Sequence, residues 1–204
     1  MTRRSLTPAC LAFGAAALAF LGACGDPTRP DATFETVQDT LVAYAVNGTP
    51  PGFPSGLSVV GVDVNGARSV PVVTRVDGGL SFDVAFDIDD AGDAVLYPLG
   101  VVASPIGSTR AVGLQRVQTT YEGTLDAPSG TYQIDSAFVV LPGEVVAVEA
   151  PSPTYCTALG SFAQNIYAKL TVDSVRTDDR TVYFRVTVDP NCGFRSFAAG
   201  KPRD

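Results

Sequence analysis

The sequence predicts an all-β protein: an antiparallel β-sandwich, with a partly closed barrel as the variant and at most one short helix. Apolar residues recur at every second position along most of the chain from residue 33 onward, the period of a half-buried strand. Clusters of Gly, Pro and Asp interrupt these runs at short intervals, and only one stretch departs from the alternation. Many short strands joined by such turns fit two packed antiparallel sheets. The strands are uneven in length and spacing, unlike those of a membrane-spanning barrel.

Strands are expected at 34–46, 57–64 and 69–76, with Asn65-Gly66 as a tight turn between the last two. The clearest alternation follows. Leu80, Phe82, Val84, Phe86 and Ile88 share one face, and Ser81, Asp83, Ala85 and Asp87 the other. Asp89-Asp90-Ala91-Gly92 turns this strand into a second at 94–99, a hairpin. Leu114, Val117 and Tyr121 lie at helical spacing, so one or two helical turns are expected within 114–125. Leu141-Pro142-Gly143-Glu144 is a turn between strands at 134–140 and 145–149. A further hairpin pairs 166–175 with 181–188, with Val182, Phe184, Val186 and Val188 pointing inward. No internal repeat is visible.

The first residues carry an address. Arg3 and Arg4 precede an uncharged run from Pro8 to Ala23, the basic and apolar regions of an export signal. A spanning helix needs roughly 20 apolar residues, and this shorter run is rich in Ala and Gly, so a retained span fits less well. The run ends at Leu21-Gly22-Ala23-Cys24, which resembles the lipobox of bacterial lipoproteins. The resemblance implies cleavage before Cys24, acylation of its thiol, and a mature protein tethered to the membrane by two or three acyl chains. Gly25 after the cysteine favours the outer membrane over the inner. Thr2-Arg3-Arg4-Ser5-Leu6 also has a twin-arginine look, but two arginines near a start are common and the ordinary secretory route is the preferred reading. The chain thus divides into a signal at 1–23, a lipid-anchored tether at 24–32 and one β domain at 33–204. Residues 25–32, fully extended, reach about 28 Å, which keeps the domain close to its membrane.

Composition narrows the function. The signal holds two of the fourteen basic residues and none of the twenty-one acidic ones, so the mature chain carries a net charge of −9. Phosphate backbones would repel it, and nucleic acid is excluded as a partner. The absence of histidine removes Ser-His-Asp and Cys-His nucleophiles and every His-ligated metal site. There is no G-x-S-x-G elbow, S-x-x-K or P-loop, and the only lysines are Lys169 and Lys201. Carboxylate-only glycan hydrolysis remains open to Glu35, Glu122, Glu144 and Glu149 if two of them meet in space. Each reads more simply as a solvated strand or turn residue.

Four cysteines sort cleanly: Cys10 leaves with the signal, Cys24 is the lipid site, and Cys156 and Cys192 remain as a pair. Outside the cytoplasm they form a disulfide by default, and they lack the C-x-x-C spacing of a redox dithiol. Asp87, Asp89, Asp90 and Asp93 form a D-x-D-D-A-G-D string that begins like a calcium loop, making Ca²⁺ the one candidate cofactor. Ala91 replaces an oxygen ligand and Pro98 the bidentate Glu, so a polar hairpin tip is the simpler reading. Phe53, in Pro50-Pro51-Gly52-Phe53-Pro54, is either a rigid contact residue or a cap folded back on the core. Pro190-Asn191-Cys192-Gly193-Phe194-Arg195 looks like a signature with no function attached. The expected protein is a non-catalytic envelope lipoprotein whose domain binds or scaffolds an envelope protein or glycan. The competing expectations are a carboxylate-based envelope enzyme and a calcium-dependent surface module.

Overall fold

A computed structural model describes residues 31–62, 69–76, 81–103, 110–151, 156 and 165–202. The expected lipidation site Cys24, the signal and the Asn65-Gly66 turn lie outside the described residues. Among the described residues, ten strands and one short helix follow in order: β1 Val37–Tyr44, β2 Gly56–Val62, β3 Ser69–Thr74, β4 Val84–Ile88, β5 Ala94–Pro98, α1 Leu99–Ala103, β6 Gly113–Val117, β7 Phe138–Val140, β8 Val145–Ala150, β9 Ile166–Arg176 and β10 Thr181–Asp189. They build two antiparallel five-stranded sheets, β1-β10-β9-β8-β6 and β3-β2-β4-β5-β7. The architecture is the expected sandwich rather than a barrel.

One core lies between the sheets. Ile166, Ala168, Leu170 and Val172 of β9 and Val182, Phe184, Val186 and Val188 of β10 are fully buried against Leu57, Val84, Phe86 and Leu96 of the other sheet. Phe86 and Phe184 stack with centroids 4.5 Å apart, joining the layers at their centre. Both expected hairpins are present, β4 with β5 and β9 with β10. The β9–β10 register shifts between Tyr183 and Phe184, leaving Asp173 as the extra residue. Pro71, which has no N–H to give, sits in the edge strand β3 where the register with β2 also slips.

Three expectations need correction. Residues 113–117, read as the start of a helix, form β6 paired with β8, and Leu114 is buried in the core. Pairing with a neighbouring strand outweighs three apolar residues at helical spacing; a single helical turn survives as Thr124 N–H to Thr120 O, 3.0 Å. The helix named among the described residues is α1, immediately after β5. The strand expected at 134–140 shortens to β7, and the turn at 141–144 passes from one sheet to the other instead of closing a hairpin. The polar face of β4 is not solvated, since Asp83, Ala85 and Asp87 are all buried.

A strap covers the outer face of the β9 sheet. After β6 the chain crosses it, pairs with the C-terminal segment at Asp126 and Ser196, and returns to bridge Leu114 with Gln133. Tyr167, Ala127 and Phe197 make a small second core beneath it, with Tyr132 alongside. No helix among the described residues is long and apolar enough to cross a membrane.

Candidate functional site

The strand directions give the molecule two ends. At one, Asn191 Oδ1 accepts the backbone N–H groups of Thr33 and Phe34 at 2.7 and 2.9 Å. Its Nδ2 donates to Phe34 O at 2.9 Å and to Asp189 Oδ1 at 2.7 Å. Thr36 adds N–H to Gly200 O at 3.0 Å and a hydroxyl bond to Ala198 O at 2.7 Å. The neighbouring Cys192 forms the expected disulfide with Cys156, with Cα atoms 5.7 Å apart and both residues buried. The signature Pro190–Arg195 is therefore the device that fixes the N-terminal segment to the fold. It carries no reactive chemistry of its own.

From this clamp β1 runs eight residues, about 27 Å, to the opposite end, where the turns 47–54, 89–93, 141–144 and 176–180 collect. An arginine ties two of these turns together. Arg180 donates to Asn47 O at 2.6 Å, Ile88 O at 3.0 Å and Asp87 Oδ1 at 3.1 Å. Asn47 Nδ2 reaches the other Asp87 oxygen at 2.5 Å. Gly48, at φ +76°, lies so close to the Arg180 side chain that a Cβ there would stand 2.9 Å from it, which explains a glycine at this position.

The four aspartates of the candidate calcium loop are thus not arranged as one ligand set. Asp87 is spent on Arg180 and Asn47. Asp89 Oδ1 accepts the N–H groups of Ala91 and Asp93, both at 2.9 Å, as a polar turn requires. No group of three metal-ligating side chains occurs among the described residues.

Phe53 is 42% exposed, its ring 4.6 Å from that of Tyr44. It borders an apolar cleft of about 240 Å³ with Val46, Pro50, Pro51 and Val76. The rigid Pro-rich loop therefore leaves the ring half outside, neither a buried cap nor a free contact.

The glutamates do separate work. Glu122 pairs with Arg185 at 3.0 Å, and Glu144 pairs with Arg116. The N–H of Leu141 and the Arg116 guanidinium hold the Glu144 carboxyl below its usual range. Lys169, overlooked in the sequence because it sits at an outward position of an alternating strand, is buried under the strap. Its ammonium donates to Tyr121 O at 2.6 Å and Thr124 O at 2.8 Å, and lies 4.5 Å from the centre of the Tyr121 ring. Burial lowers its pKa from 10.5, Glu122 opposing and Arg185 reinforcing that effect. The Tyr121 hydroxyl, bonded to Thr187 at 2.7 Å, is pushed up to about 12 by burial.

A larger groove, about 440 Å³, opens along the side of the sandwich between the edge strands β6 and β7. Gln115, Arg116, Thr131, Gln133, Phe138 and Val139 line it. Thr131 holds a left-handed φ of 61°, unusual for a β-branched residue. This groove is not legible in the sequence, because its walls come from segments that are brought together only by the fold of the strap. No family model, curated protein or solved structure matches the chain.

Proposed function

We propose that the chain is an envelope lipoprotein, anchored through acylated Cys24, whose β-sandwich binds or scaffolds another envelope component without performing chemistry. The observation that supports this best is the Asn191 clamp. It fixes Thr33 and Phe34, only a few residues beyond the lipobox, to one end of the sandwich. The tether enters the fold at that end, which is therefore the end joined to the lipid, and the loop end carrying Phe53 and Arg180 lies about one strand length from it. Gly25 after the lipid-bearing cysteine favours the outer membrane. Asp87, Glu122 and Glu144 are engaged in ion pairs, which supports recognition over catalysis at these carboxylates.

Intact mass of the membrane-extracted protein tests the address. A mass of residues 24–204 plus diacylglyceryl or triacyl groups, together with release of Cys24→Ser into the soluble fraction, is expected. An unlipidated product retained or secreted whole would refute the proposal.

A further inference from the structure

We infer that the groove between β6 and β7 is a binding site for a neutral saccharide; this rests on reading the domain as a binding module and names its ligand class. The groove withholds free strand edges. Leu114 and Gln133 exchange backbone hydrogen bonds at 2.9 and 2.8 Å, so that part of the β6 edge is already paired. On the opposite wall, Arg116 donates to Val139 O at 2.8 Å, occupying the middle residue of the short edge strand β7. An extended peptide adding as a further strand needs such free edge groups, and here they are taken.

Charge is withheld as well. Arg116 is paired with Glu144, so the groove presents no uncompensated cation to a phosphate or carboxylate. Two carboxamides and a hydroxyl remain, from Gln115, Gln133 and Thr131, beside the exposed apolar side chain of Val139, with Phe138 buried behind it. Carboxamides both donate and accept, as sugar hydroxyls do, and the apolar wall suits the C–H face of a pyranose ring. A volume of about 440 Å³ lies within the range of small-molecule sites.

Gln115 supplies the second, independent observation. Its amide oxygen is closed off from solvent and accepts no hydrogen bond. A buried acceptor without a donor is destabilising, and such groups call for an explanation. Gln115 borders the groove, and a rotation of its side chain that turns this oxygen outward lets a ligand hydroxyl supply the missing donor. The same reasoning separates binding from stability: Gln115→Leu should bind worse while folding at least as well.

The test titrates detergent-extracted, ¹⁵N-labelled mature protein with cellobiose, maltose and the N-acetylglucosamine disaccharide, following amide shifts. Saturable shifts confined to 113–117 and 131–140 are expected with at least one sugar. The loss of one hydrogen bond should weaken that sugar about fivefold in Gln115→Leu and in Gln133→Leu, with melting temperatures no lower than the parent for Gln115→Leu. No saturable shift at tens of millimolar, shifts centred elsewhere, unchanged affinity in both variants, or groove shifts only with inorganic phosphate or an extended peptide would each overturn the inference. None of these outcomes alters the lipidation mass, so the address and the ligand class stand or fall separately.

Discussion

Lys169→Met isolates what holds the strap to the sheet. Methionine keeps the length and apolar stem of the side chain but replaces the ammonium with a group that cannot donate. Two carbonyls, Tyr121 O and Thr124 O, lose their donor in a place where only 4% of Lys169 is exposed. Each unpaired buried acceptor costs about 1–3 kcal/mol, and removing a desolvated charge returns part of that sum. A net loss of about 2–3 kcal/mol is expected, lowering Tm by about 4–12 °C for a domain of this size. The pH dependence should change with it. The native state gives up the Lys169 proton below 10.5, so approaching that value the unfolded chain binds more protons and the group's contribution makes stability rise with pH. That rise should vanish in the variant. Urea unfolding at several pH values measures both effects, and amide exchange should quicken within 118–127. A variant as stable as the parent, with unchanged exchange, would show that the Tyr121–Thr187 bond and the Asp126–Ser196 pairing hold the strap without Lys169.

Arg180→Ala leaves the buried Asp87 with Asn47 as its side-chain partner, and a loss of about 3–5 kcal/mol in urea unfolding is expected; Arg180→Lys should restore only part, because one ammonium cannot serve three acceptors in that geometry. Reduction of the Cys156–Cys192 bond, or Cys192→Ser, should lower stability by about 4 kcal/mol for a 36-residue separation, read as a shift in urea midpoint that reductant does not add to in the variant. Burial raises the Asp83 carboxyl above 3.8 against the lowering effect of Arg110, so the native state holds that proton more tightly than the unfolded chain does. This group makes stability fall as pH climbs through the window just above 3.8, and the parent-minus-Asp83→Asn difference should slope downward there; a flat or rising difference would contradict it. Millimolar calcium should leave Tm unchanged, whereas a rise abolished by Asp89→Ala would restore the cation reading of the 87–93 turn.

The sandwich was legible because alternation, turn residues and strand number all describe the same half-buried sheets. β9 and β10 were the easiest, since Val182 to Val188 alternate without a break and the turn between them is polar. What alternation cannot report is a second layer of cover. Asp87, Lys169 and Thr187 occupy outward positions, which reads as solvent, yet a loop or the strap lies over each of them. The partners that bury them are distant in sequence: Tyr121 lies 48 residues before Lys169, and Asp87 lies 93 before Arg180. The groove was invisible for the same reason, because Gln115 and Gln133 become neighbours only through the fold of the strap.

The signature around Cys192 shows how a conspicuous motif and a functional site differ. Its residues act together at one end of the molecule: Asn191 binds the incoming chain, Cys192 ties β10 to Cys156, and Arg195 spans Ala127 O and the Tyr167 ring. These contacts tie the segment after β10 to the N-terminal segment, to Cys156, to the strap and to Tyr167 of β9. If the proposed anchor at Cys24 is right, a pull on the lipid would reach Thr33 and Phe34 and pass through Asn191 toward β10, beside the disulfide. The contacts that distribute such a load are therefore concentrated where it enters. Under the proposed function, recognition would then fall to surfaces away from that end, where the groove and the Phe53 loop lie.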